Sequence, residues 1–183
     1  MKKLFHICFC GVLLLAGAVF GGGAASAHTM PESEAVLIYP LAQGSRAFTV
    51  EFKVNMPLEK ASAVLGRDFK EEEREISNFR VAYYKYKYPD ITFIGRHLKS
   101  HKGPSGDLPI SSILCRSRSL KTPSGFRVGD PYENVRAMYG EGSVSNSASP
   151  QHTYWFDGIY GMTFVVDEQG LIKEIDLHVA ITG

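Results

Sequence analysis

His97 and His101, in Arg96-His97-Leu98-Lys99-Ser100-His101-Lys102, have the i, i+4 spacing at which two imidazoles share a helix face and hold a metal. The flanking Gly95, Gly103 and Pro104 oppose a helix, and neither cysteine nor carboxylate stands close by, so no metal is expected. Serine chemistry has no better footing. The nucleophile-elbow pattern Gly-x-Ser-x-Gly is absent, and Gly103-Pro104-Ser105-Gly106 and Thr122-Pro123-Ser124-Gly125 have the composition of turns. No phosphate-cradling glycine loop occurs either, so neither a cofactor nor a catalytic residue is expected, and the chain reads as a protein that is not an enzyme.

The charged residues offer binding instead. Between Gly95 and Arg127 lie Arg96, Lys99, Lys102, Arg116, Arg118, Lys121 and Arg127 against one acid, Asp107, while Lys85 and Lys87 alternate with tyrosines upstream. If Lys85 and Lys87 share a strand face, they join Arg96, Lys99, Lys102, Arg116 and Arg118 as a patch for a polyanion, such as an acidic envelope polymer or an anionic lipid surface, with no specific nucleic acid expected. The competing reading is ordinary solvated charge beside tyrosines that pack on the core, and a net charge near zero favours it. The acidic run Glu71-Glu72-Glu73-Arg74-Glu75 lacks the Asn, Gly and Asp spacing of a calcium loop and is expected to be a solvated helix or loop.

These side chains need elements to hold them, and one stretch organises the rest. Phe126 to Gly140 reads as a short helix: Asp130 is placed as N-cap, Pro131 at the first position and Glu133 at N3 of a capping box, with Tyr132, Val135 and Tyr139 on one face. Phe52 to Gly66 repeats it, with Leu58, Ala61 and Leu65 on the equivalent face. Phe, Val, Pro, Glu, Ala and Gly are identical between the two copies, more than chance composition supplies. Gly66 and Gly140 are placed to end the helices in a left-handed conformation. Helices this short must dock on something.

Strands supply the docking surface. Ala35–Tyr39 and Arg46–Phe52 read as a hairpin; Val81–Tyr88, Ile91–Ile94 and Ile110–Cys115 follow the first helix, and Tyr154–Phe156, Met162–Val166 and Leu171–Leu177 follow the second. One face, carrying Phe93 or Phe164 and Ile113 or Ile175, is expected to receive the helix, and Gly95 to Leu108 reads as an insertion of the first copy.

Residues 1–27 read as a secretory signal: Lys2 and Lys3, an apolar run from Leu4 to Phe20, and Ala25-Ser26-Ala27 as the cleavage site. Cleavage removes Cys8 and Cys10, leaving Cys115 as a buried thiol that cannot form an intrachain disulfide. His28 to Glu34 is expected to fray.

The motif Val128-Gly129-Asp130-Pro131-Tyr132-Glu133-Asn134-Val135, followed by Tyr139-Gly140, Tyr154-Trp155-Phe156, Met162-Thr163-Phe164 and Gly170 to Ile175, resembles the SmpA/OmlA (BamE) family of small outer-membrane lipoproteins. It is similar also to the β-lactamase inhibitor protein group, built from two tandem units. The resemblance covers residues 125–178 and, more weakly, 50–116; the chain departs from it in lacking a lipobox cysteine and the inhibitor's intradomain disulfides. It implies helices on an antiparallel sheet, an extracytoplasmic location, no cofactor, and work by binding other proteins.

Together these readings predict an α+β protein of two tandem units, each a short helix or helix pair packed on a three- to four-stranded antiparallel sheet. Residues 28–124 would form the first unit, with the hairpin and basic insertion, and 125–183 the second. The expected role is an exported binding or scaffold module of the periplasm or cell envelope, or outside the cell, whose partner is another envelope or secreted protein. Tyr154, Trp155 and Tyr160 are its candidate anchors, although Trp155 also suits the core. The alternatives are an anionic polymer or membrane-surface binder acting through the basic patch, and an inhibitor of a secreted enzyme.

Overall fold

The computed structural model describes residues 30–43, 45–75, 81–98 and 102–180. The signal segment 1–27, Lys99 and His101 lie outside the described residues. A hairpin of β1 (Leu37–Gln43) and β2 (Arg46–Phe52) precedes α1 (Glu59–Leu65) and the strands β3 (Lys70–Glu75), β4 (Val81–Lys87), β5 (Ile91–Leu98) and β6 (Ile110–Cys115). Then come α2 (Tyr132–Tyr139), β7 (Ser143–Asn146), β8 (Pro150–Phe156), β9 (Tyr160–Val166) and β10 (Ile172–Val179).

The expected pair of separate helix-on-sheet units does not form. β6 pairs antiparallel with β10, Cys115 opposite Ile175 and Ile113 opposite Leu177, so β3 to β10 make one eight-stranded sheet in the order β3-β4-β5-β6-β10-β9-β8-β7. The described residues are therefore mostly β, with two short α-helices among them. The physical reason lies at the edges: β6 and β10 are both apolar on one face, and each satisfies the other's free backbone groups. What remains outermost is β7, with four residues, and β3, whose sequence Lys-Glu-Glu-Glu-Arg-Glu repels a further strand.

That acidic run is thus a strand, not a solvated helix or loop. Its poor intrinsic β-propensity is overridden by partners on β4: Tyr84 donates to Glu71 at 2.6 Å and Lys87 to Glu72 at 3.1 Å. The supposed insertion is shorter than expected, because β5 runs on to Leu98 and a single 3₁₀ turn at Ser105–Asp107 leads into β6.

Both helix starts are held the same way. Asn55 N–H donates to Ile110 and Ile110 N–H to Met56, each at 2.7 Å; Gly129 N–H donates to Ile172 at 2.7 Å and Ile172 N–H to Asp130 at 2.9 Å. Asn55 and Gly129 both take positive φ, 66° and 86°. Asp130 does not cap α2, which begins beyond Pro131 with no side-chain cap; its carboxylate accepts from Arg127 N–H at 3.1 Å and pairs with Arg118. Gly66 and Gly140 end the helices at φ 84° and 76° but with ψ near 180°, a region more exclusive to glycine than the left-handed helix expected.

Both helices contribute to one hydrophobic core. Leu58 just before α1, Ala61 of α1 and Tyr132 and Val135 of α2 join Phe93, Ile113, Phe164, Ile175 and Leu177, which share one sheet face. Cys115 is buried there, and burial pushes its thiol up to about 11. Residues 30–34 do not fray: Met30 and Glu34 are buried, and the Glu34 carboxylate accepts from Ser124 N–H at 3.0 Å and Ser124 Oγ at 2.8 Å.

Candidate binding surface on the open sheet face

Strand alternation sends every second side chain away from the helices, and the register lines those side chains into rows. One row crosses seven strands: Glu72, Lys85, Ile94, Ser112, His178, Gly161 and Trp155. Beside it stands Arg74-Tyr83-Arg96, and on the other side Lys87-Thr92-Leu114-Asp176-Thr163-Thr153. Among the described residues no helix covers this face. A concavity of about 830 Å³ opens over it, with Arg74, Lys85 and Arg96 at one end, Ser112, Asp176 and His178 in the floor and Trp155 at the other.

The charges divide into paired and free. Lys87 is neutralised by Glu72 at 3.1 Å and Arg116 by Glu174 at 2.5 Å. No described carboxylate pairs with Arg74, Lys85 or Arg96, so three cations border the concavity with their charge uncompensated by an ion pair. Glu75 also lines its rim.

Ser112 Oγ donates to Asp176 Oδ1 at 2.7 Å, and Asp176 Oδ2 lies 3.4 Å from His178 Nδ1, within ion-pair reach though outside hydrogen-bond geometry. Burial opposes the charged imidazole, but the Asp176 carboxylate outweighs it and the His178 pKa is raised. The three residue types are those of a hydrolytic triad in the wrong order. The carboxylate stands between serine and histidine, so the serine hydroxyl donates to Asp176 rather than to the imidazole that accepts it in such a triad.

Gly161 makes room for the remaining contact. A Cβ there would lie 2.6 Å from His178 Nε2 and 3.1 Å from Trp155 Cζ3. Without one, the indole and imidazole meet edge to face, 5.5 Å apart at 88°.

Only some of the residues singled out from sequence meet here. Lys85, Arg96 and Trp155 border the concavity, and Trp155 is 47 % exposed rather than core. Lys87 lies on the same face, paired. Arg118 is engaged by Asp130 at 3.1 Å ahead of α2, and Lys102 is exposed in the β5–β6 connection. Tyr154 is buried on the helix side, where its hydroxyl lies 2.9 Å from that of Tyr132 and donates to Gly140 O at 2.8 Å. Tyr160 also faces the helix side, half-buried, accepting from Asn55 Nδ2 at 3.2 Å. His97 lies 3.6 Å from Glu73, and among the described residues no three His, Cys, Asp or Glu side chains converge as metal ligands.

Arg74, Tyr83, Ser112, Asp176 and His178 escaped the sequence reading. Their signal was present in part, since Asp176 and His178 alternate with Ile175 and Leu177, and Ser112 precedes Ile113. Which strands stand side by side is not written in that alternation.

No family model matches the chain. No curated protein matches it either. Among solved structures it is similar to a DUF4309 family protein, YjgB, from Bacillus subtilis, at a TM-score of 0.39 and 14% identity over 84% of this chain and 88% of that one. So distant a likeness assigns neither fold nor activity. Among the described residues no helix is long and apolar enough to cross a membrane.

Proposed function

We propose that the chain is an exported, non-enzymatic binding module of the cell envelope or its surroundings, and that its contact surface is the open face of the eight-stranded sheet. The observation that carries this reading is one concavity that no described helix covers, bordered by three cations with no ion-pair partner among the described residues, Arg74, Lys85 and Arg96, together with the exposed Trp155. Unpaired cations on a low-dielectric wall attract an anion at long range, and an exposed indole supplies the contact area that interfaces use most heavily. The same cations favour an anionic polymer as partner over the protein scaffold. A serine hydrolase of the Ser-His-Asp type would need Ser112 bonded to the imidazole, and the serine hydroxyl is instead bound to Asp176.

The test is retention of envelope components by the protein recovered from export-competent cells, washed at rising salt, beside the Lys85→Gln/Arg96→Gln variant. Release of polymer between low and moderate salt, and its absence from the variant, is the expected result, because screened charge is what holds it. A discrete protein retained through high salt and unaffected by the variant would transfer the reading to a scaffold using another surface.

A further inference from the structure

Resting on the open face as the contact surface, we propose that its ligand is a saccharide chain carrying acidic groups, laid across the strands from the cations of β3–β5 to Trp155 on β8. Lys85 and Trp155 belong to one row and are five strand spacings apart, so a ligand touching both spans about 24 Å. That length calls for a polymer segment rather than a single small molecule. Its chemistry changes along the path.

At the β3–β5 end Arg74 and Arg96 flank Tyr83 in register, with Lys85 beside them, a wall suited to a carboxylate or phosphate. In the middle Ser112, Asp176 and His178 present hydroxyl, carboxylate and ring nitrogen, the mixture of acceptors and donors that sugar hydroxyls satisfy. At the far end the indole of Trp155 is held edge-on by His178 above Gly161, leaving apolar ring surface open to the C–H face of a pyranose.

An acidic peptide fits this path less well. The N–H and C=O groups of these strands are engaged in the sheet ladders, so a peptide crossing them would leave its own amides without the main-chain partners that strand addition gives. Single-stranded nucleic acid asks for successive aromatic platforms, whereas here Trp155 stands alone at its end and Tyr83 lies between two arginines.

The sequence contains one tryptophan, so intrinsic emission reports this site alone. The probes are oligogalacturonate, phosphorylated dextran, neutral dextran, poly-glutamate and a single-stranded oligonucleotide. The expected result is a saturable change in Trp155 emission with oligogalacturonate or phosphorylated dextran, whichever responds naming the acid, and none with neutral dextran or poly-glutamate. By calorimetry Trp155→Ala weakens that binding on the order of tenfold with its salt dependence intact, and Lys85→Gln/Arg96→Gln weakens it with a flatter salt dependence. Both variants change exposed or half-exposed side chains and leave the core untouched.

Equal response to poly-glutamate or the oligonucleotide overturns the saccharide while keeping the face. Silence towards every probe also overturns it; the open-face reading then survives only if envelope capture is lost in the Lys85→Gln/Arg96→Gln variant. Binding with no change at Trp155 places the ligand elsewhere and overturns both.

Discussion

The two faces of the eight-stranded sheet are built from the same strands and do opposite things. On the helix side Phe93, Ile113, Phe164, Ile175 and Leu177 are buried without exception. On the other side the same strands put Lys85, Arg96, Ser112, Asp176, His178 and Trp155 within reach of solvent. Burying a large apolar side chain is worth about 1.5–3 kcal/mol, so the helix face carries stability and the open face is free to carry binding. Where the faces differ in mutability, the comparison can be broken.

The largest effect is expected on the helix side: Phe164→Ala or Phe93→Ala should cost about 3–5 kcal/mol in urea denaturation, because each leaves a cavity among well-packed neighbours. Gly161→Ala comes next. Its Cβ would meet His178 and Trp155, so about 1 kcal/mol of destabilisation and a changed near-ultraviolet dichroism of Trp155 are expected.

A smaller effect concerns His178, whose pKa is raised above the 6.5 of a free imidazole. The protonated ring is favoured by the fold, so its stabilising contribution is full below pH 6.5 and is lost as pH rises through the folded value. An NMR titration of His178 should show a midpoint above 6.5, returned downward by Asp176→Asn. The smallest effect is that of Trp155→Ala, which should change stability by about 0.5 kcal/mol or less, although it removes the only tryptophan. A loss comparable to that of Phe164→Ala would mean that Trp155 is packed, and the contrast between the faces would fall.

Much of the local structure was legible. Arg46–Phe52 and Ile110–Cys115 are strands at the residues their alternation marks, and Leu58, Ala61, Tyr132 and Val135 are the buried side of their helices. β3 was not legible, because a row of glutamates and lysine has no strand propensity and is held by its pairing with the tyrosines and lysines of β4. Nor was the exposure of Trp155: three consecutive aromatics, Tyr154, Trp155 and Phe156, look uniformly apolar, and only the pleat of β8 turns the middle one outward.

The sequence by itself determined the alternation along Arg46–Phe52 and Ile110–Cys115, where glycine must end each helix, and that Cys115 is a buried thiol. Only the tertiary structure decided that β6 meets β10 and closes two halves into one sheet. Backbone pairing uses the same N–H and C=O groups at every position, so a period of two specifies a face but not a neighbour. The candidate site inherits that limit. Lys85, Ser112, His178 and Trp155 come from four strands, and it took the register between those strands to place them in one row, while ion pairs with Glu72 and Glu174 set Lys87 and Arg116 apart from Arg74, Lys85 and Arg96, which have no such pair among the described residues.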